Sequence, residues 1–223
     1  MEINPSLKKI GFFDAERHLI ERHFPKPPAR VLDIGFGYGR ELLPLDAMGY
    51  EIDAIEVIPE TVEYIKQYPL RARIHQMSAT DLHFSDGSFD AVIFPYNGLD
   101  YIVPEASRDQ AIREIYRVLK PGGIFILSSH NWIPFLLHPN IGRLRALLSR
   151  LMHWSLPKHY LRWKNEEGML TLYVASPKTQ IAHFKEMGFD LLEIRGKGSS
   201  DLAWVSRHVA WPYFTLSKRN NSI

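Results

Sequence analysis

The chain has 223 residues, 45% of them hydrophobic and 23% charged, with a formal net charge of +2 and no cysteine. That balance excludes a disordered chain, a disulfide scaffold, a thiolate metal site and a cysteine nucleophile, and no other metal-ligand pattern is visible. Met1–Ile10 carries Glu2, Asn4, Lys8 and Lys9 rather than a signal-peptide core, and no apolar run approaches the roughly 20 residues of a membrane helix, so the expectation is one cytoplasmic domain over 1–223.

The elements follow in chain order. Leu7, Ile10, Phe13, Leu19, Ile20 and Phe24 are spaced for one or two short helices within an N-terminal helical segment, 1–28, that ends at Pro25-Lys26-Pro27-Pro28. Val31–Ile34 reads as a buried strand, Arg40–Met48 as a helix, Tyr50–Val57 as a strand and Pro59–Tyr68 as a helix with proline in its first turn. Arg73–Met77 and Phe89–Phe94 are further strands, Arg108–Leu119 a helix, and Pro121-Gly122-Gly123 a tight turn into a fifth strand, Ile124–Ser128. Residues 130–168 interrupt this rhythm with Trp132, Pro134, Pro139 and a basic helix-like stretch, Ile141–Trp154. Regular order resumes at Leu170–Val174, followed by a helix over Lys178–Met187 and last strands at Phe189–Ile194 and Tyr213–Leu216. Strands alternating with helices predict an α/β fold, a mostly parallel sheet covered on both faces.

Ligands of such sheets bind beyond the carboxyl ends of the strands. There the sequence places Asp33-Ile34-Gly35-Phe36-Gly37-Tyr38-Gly39 after the first strand and Glu56 at the end of the second, 17 residues past Gly39. Glycines allow a sharp turn and close backbone approach, and an acid at the end of the second strand can accept hydrogen bonds from both hydroxyls of a ribose. The nicotinamide fingerprint spaces its third glycine one residue later, and a phosphate at this loop would be repelled by Asp33. A nicotinamide-dependent oxidoreductase is therefore disfavoured.

The glycine segment resembles motif I of class I S-adenosylmethionine-dependent methyltransferases, a hydrophobic strand followed by an acid and three glycines. Gln76–Phe84 with Phe89-Asp90 is similar to that family's adenine-binding stretch, although Ser78 stands where an aspartate is usual, and Arg117–Gly123 matches its connection into the fifth strand. The resemblance spans about residues 30–128. It implies a Rossmann-like, seven-stranded sheet with a lid, 130–168, inserted after strand five, and S-adenosylmethionine as cofactor. The cofactor residues it implies are Asp33, Gly35, Phe36, Gly37, Gly39, Glu56, Val57, Ser78, Ala79, Thr80, Asp81 and Pro95. Asp33 would orient the cofactor's amino group, and the three glycines would face its methionine part.

Methyl transfer is an in-line displacement governed by alignment, and it needs a general base only when the acceptor is a poor nucleophile such as a hydroxyl. Candidates follow strands four and five. His130 is either a base working near neutral pH or a loop histidine bonded for structure; Tyr96, Asn97 and Asn131 orient a substrate, or the two asparagines cap turns. The expected acceptor is a small or glycan-related molecule with an oxygen or nitrogen nucleophile. The alternative is a cofactor-binding protein without turnover, acting through a partner or a membrane surface.

Charge is uneven. Residues 1–130 hold 14 basic and 19 acidic residues, residues 131–223 hold 13 and 6. Arg143, Arg145, Arg150, Lys158, Arg162 and Lys164 concentrate in the interrupting segment, suiting an anionic acceptor, peripheral membrane contact or a solvated rim on a packed helix. Aromatics are not interleaved with these charges as a nucleic-acid stacking platform requires.

Overall fold

The computed structural model of the chain describes residues 11–137, 159–165 and 168–220. In chain order the elements are α1 (Asp14–His23), β1 (Arg30–Ile34), α2 (Leu42–Ala47), β2 (Glu51–Glu56), α3 (Pro59–Ile65), β3 (Arg73–Gln76) and β4 (Phe89–Phe94). A 3₁₀ turn (Gly98–Tyr101), α4 (Glu105–Val118), β5 (Leu119–Ser128), α5 (Ile133–Leu137), β6 (Tyr160–Asn165) and β7 (Gly168–Tyr173) follow. The chain then forms α6 (Pro177–Glu186), β8 (Phe189–Arg195), α7 (Leu202–His208) and β9 (Tyr213–Lys218).

Seven strands form one sheet in the order β3-β2-β1-β4-β5-β9-β8, and β6 and β7 form a separate two-stranded sheet. The first five strands run parallel; β9 lies antiparallel between β5 and β8. This is the expected Rossmann-like architecture. Alternation along the strands splits the core in two. Leu32, Ile34, Val92 and Phe94 join the cluster that contains Ala111, Ile115 and Phe184 of α4 and α6. Val31, Ala54, Ala91 and Ile93 join the cluster built with Leu19, Leu45 and Val62 of α1, α2 and α3.

Three local expectations are corrected. The run Leu170–Val174 enters the β6–β7 hairpin rather than the main sheet, pairing locally from Tyr160↔Tyr173 to Asn165↔Gly168. An antiparallel partner a few residues away needs no crossover connection. Residues 121–123 form no free-standing turn; Phe89 pairs with Leu119, and after a register shift Ala91 pairs with Ile124, so β5 starts earlier. A helix not anticipated from periodicity, α7, begins at Asp201, whose side chain accepts from Trp204 N at 2.6 Å. The basic stretch Ile141–Trp154 lies outside the described residues, of which no helix is long and apolar enough to cross a membrane.

One buried ion pair ties the N-terminal helix to the sheet. Glu16 of α1 is wholly buried and accepts from Arg40 Nη1 and Nη2, each at 2.7 Å, from Phe13 N at 2.8 Å and from Tyr213 Oη at 3.0 Å. Arg40 also contacts Glu41, donates to Gly11 O and lies 4.1 Å from the Phe13 ring centroid. Removing one partner of such a pair strands the other charge out of water. Glu16→Ala is therefore expected to lower unfolding stability by about 3 kcal/mol, measured by urea denaturation; a loss below 1 kcal/mol, the worth of a surface pair, would contradict the clamp.

Candidate functional site

The site begins with pleat geometry. Asp33 of β1 pairs with Ala54 of β2, and Glu56 lies two residues further along, so period two brings both acids to one sheet face at the carboxyl edge. Glu56 is oriented by the backbone around it. Its Oε1 accepts from Val57 N at 2.7 Å and Ile58 N at 3.1 Å, and its Oε2 from Gly37 N at 3.2 Å. Oε1 thus has both lone pairs engaged, and Oε2 keeps one for a further donor.

Asp33 is in the opposite condition. It is 0% exposed, and neither carboxylate oxygen has a hydrogen-bond partner. Burial pushes its carboxyl up to about 7; Arg40 opposes this, and the Glu16 and Glu56 charges add to it. An orphaned buried carboxyl among other acids is a place for a cationic donor.

Within the glycine loop the residues differ in purpose. Gly37 has a φ of +51° with open space where a side chain would begin, so its backbone is accessible to a ligand. Gly39, at +84°, has no such space: a Cβ would lie 2.4 Å from Ile65 Cδ1, so this glycine seats α3 against the loop. The Phe36 side chain packs into the α1–α3 core, which leaves only its backbone on the loop.

The turn after β3 is largely self-satisfied. Ser78 Oγ bonds Thr80 Oγ1 at 2.8 Å and accepts from Thr80 N, and Ala79 is buried. The Asp81 side chain is 79% exposed beside His83, so it is turned to solvent rather than into the site. Val57, 58% exposed, and Ile58 present an apolar rim next to Glu56.

After β4, Pro95 is buried and Tyr96 and Asn97 are both left-handed, with φ of 54° and 59°. Such backbone costs about 1–3 kcal/mol per residue and persists where its surroundings hold it. Ser128 Oγ accepts from Asn97 N at 2.8 Å. Asn97 Oδ1 is buried without a partner. The exposed Tyr96 ring stacks on Phe13, centroids 6.4 Å apart, and so brings the N-terminal segment to the rim.

The 3₁₀ turn that follows delivers Asp100, wholly buried, to the end of β5. Its carboxylate accepts from Ser129 Oγ at 2.8 and 2.9 Å, from His130 N at 2.6 Å and from His130 Nδ1 at 2.8 Å. A carboxylate on Nδ1 holds the proton there and leaves Nε2 as the acceptor. Tyr101 stands edge-on to the imidazole at 5.9 Å. His130 is therefore both anchored and poised. Asn131 is not available to a substrate: it is wholly buried, donates to Ser206 O and Val209 O, and accepts from Ile133 N. The turn-capping reading of Asn131 is the one the geometry matches.

Sequence reasoning assigned no role to Asp100, Ser129, Glu16 or Arg40. An acid three residues after Asn97 was in view, but its contact with His130 joins two loops 30 residues apart.

A family model described as a methyltransferase domain matches residues 31–123. A ubiquinone/menaquinone biosynthesis C-methyltransferase from Geotalea daltonii is 31% identical over 124 residues, 52% of this chain and 51% of that protein. The sterol 24-C-methyltransferase of Schizosaccharomyces pombe is 26% identical over 202 residues, 85% of this chain and 48% of that protein. The chain thus spans about half the length of the curated relatives it matches. A crystal structure of a SAM-dependent methyltransferase from Methanosarcina mazei superposes with a TM-score of 0.76 at 19% identity, covering 94% of this chain and 99% of that one.

The Asp33 carboxyl has a measurable consequence. Its pKa in the fold is about 7 against an ordinary 3.8, so between those pH values the native state holds a proton that the unfolded state has released. Stability from this group is full below about pH 4 and is lost as pH rises through about 7. The neutral variant Asp33→Asn is expected to melt roughly 3–10 °C above the ligand-free parent at pH 8, with the gap closing at pH 5. Equal melting temperatures at pH 8 would show the carboxylate to be compensated.

Proposed function

We propose that the chain is a class I S-adenosylmethionine-dependent methyltransferase, a reading supported by the methyltransferase-domain match over residues 31–123, and that it transfers a methyl group to a small-molecule acceptor through His130. The observation that carries the cofactor half is Asp33, a buried carboxylate lacking a donor at the glycine loop. The α-ammonium of the cofactor is the cationic donor this position lacks. Glu56, turned by three backbone amides, takes a ribose hydroxyl on the lone pair left at Oε2. Gly37 gives backbone access, and Val57 and Ile58 lie along the adenine. The turn of Ser78, Ala79 and Thr80 flanks the base through its backbone, and Pro95 closes the site from β4.

Bound S-adenosylmethionine supplies a methyl group on a sulfonium, an electrophile for an aligned nucleophile. The protein's part is alignment and proton removal. Asp100 holds the His130 ring and its Nδ1 proton, so that Nε2 can take the proton of an acceptor hydroxyl or amine. Asn97 Oδ1, unpartnered on the same edge, and Tyr96 orient that acceptor. A carbon acceptor, as the names of the two relatives state for those proteins, would lose its proton to the same base. The described parts of the predicted lid, α5 and the β6–β7 hairpin, flank the acceptor side: α5 begins three residues after His130, and Ala175 N, just past β7, donates to His130 O at 3.3 Å. A binding protein without turnover would need Asp33 and Glu56 but not the Asp100–His130 pair, which favours catalysis.

S-adenosylmethionine or S-adenosylhomocysteine is expected to raise the melting temperature, and NAD is not. Glu56→Ala should weaken cofactor binding by about 1–3 kcal/mol in calorimetry. With an acceptor found by following S-adenosylhomocysteine formation across metabolite pools, His130→Ala should lower turnover by about 100-fold or more while leaving cofactor affinity intact. Response to NAD alone would sink the reading. Full turnover by the His130 variant would remove the base.

A further inference from the structure

Arg108 lies on the first turn of α4, and at 1% exposure it is among the largest wholly buried side chains. Its guanidinium stands over the Tyr173 ring, 3.9 Å from the centroid, and 5.9 Å from that of Phe184. Two of its nitrogens, Nε and Nη2, are buried without a hydrogen-bond partner. Among the described residues no carboxylate pairs with it. Asp100 is taken by Ser129 and His130, Asp109 bonds His183 at 2.9 Å, and Glu105 is exposed. A guanidinium is effectively always charged, so among the described residues this is a buried cation without an anion, a costly state that burying an apolar residue would avoid.

The geometry of the vacancy is specific. The N–H bonds of Nε and Nη2 lie along one edge of the guanidinium, the edge that donates two parallel hydrogen bonds to a carboxylate. Tyr160 Oη, on the hairpin strand facing Tyr173, is also buried and unpartnered. The Arg108 charge acts on the hydroxyls of both tyrosines against the effect of burial. The strand that carries Tyr173 leads directly to the base: Ala175 N donates to His130 O at 3.3 Å, and Gln180 Nε2 donates both to His130 O and to Ala175 O.

We propose that the Nε/Nη2 edge of Arg108, together with the Tyr160 hydroxyl, is a recognition subsite for a carboxylate on the methyl acceptor. The cation–π contact with Tyr173 orients the guanidinium without consuming its donors. The acceptor is then an acid whose carboxylate is held at the β6–β7 hairpin while its nucleophile is presented to His130. Identification of the ligand as the acceptor rests on the methyltransferase reading; the carboxylate site itself does not.

The test uses the whole chain loaded with S-adenosylhomocysteine, at constant ionic strength set with chloride. Acetate and benzoate are titrated against their neutral amides, acetamide and benzamide, and against inorganic phosphate, by calorimetry and thermal shift. At least one carboxylate is expected to bind, at least tenfold more tightly than its amide and than phosphate. Arg108→Lys keeps the charge but not the fork and should weaken that binding tenfold or more; Tyr160→Phe should weaken it severalfold, with S-adenosylhomocysteine affinity unchanged in both. Carboxylates no better than their amides, phosphate bound more tightly than either acid, or an Arg108→Lys protein that binds carboxylate like its parent each overturn the proposal. Should Arg108→Lys fail to fold, the comparison of carboxylate with amide on the parent chain and the Tyr160→Phe result decide it. If S-adenosylhomocysteine itself does not bind, the methyltransferase reading falls, and the same titrations on the ligand-free chain still decide the carboxylate site.

Discussion

Around the carboxyl end of β1, buried Asp33 lies under the influence of one guanidinium, that of Arg40, and of two further buried carboxylates, Glu16 and Glu56. Arg40 is committed to Glu16 by two short hydrogen bonds, and Glu56 is committed to backbone amides. Asp33 is left over. Its position follows from strand alternation and from parallel register, so the fold cannot form without delivering it there. Asp33 therefore carries an electrostatic cost that a cationic group beside it would relieve. Stability and function oppose one another at this residue, as is common where a site is prepared in advance for its ligand.

The clamp that neutralises Glu16 also shapes the entrance. Because Arg40 lies just after the glycine loop and Glu16 lies on α1, the same ion pair that anchors the N-terminal helix holds Phe13 over the loop and against Tyr96. Tyr96 reaches that stack through a left-handed backbone, which Asn97 continues and the Ser128 hydroxyl secures. A short chain of contacts thus runs from α1 and the glycine loop to the turn after β4 and the end of β5.

On the acceptor side, polar atoms separate into those that build and those that wait. Asn131 spends its amide on three backbone groups and fixes the path from β5 into α5. Gln180 fixes the junction of His130 with Ala175. Asp100 fixes the histidine ring. Asn97 Oδ1, Tyr160 Oη and the Arg108 edge have no such partners. Buried polar groups are rarely left unpaired in a stable fold, and these three are among several that remain so here.

By itself the sequence determined the fold class, the chain order of the main strands and the presence of an acid at the end of each of the first two. The reason is local: apolar strands of period two, glycines that interrupt them and an acid at each strand end are all written within a few consecutive residues. Even there, Phe36 and Gly39 show the limit, since adjacent loop residues divide between ligand access and core packing according to what α1 and α3 place against them. Only the tertiary structure decided that Asn131 caps backbone, that Asp81 turns to solvent and that His130 is held by Asp100. It alone joined Glu16 to Arg40 and left Arg108 unpaired beneath the tyrosines of a hairpin. Those facts depend on contacts between residues tens of positions apart, where the burial of a charge and the identity of its partner are set by packing and by no local pattern.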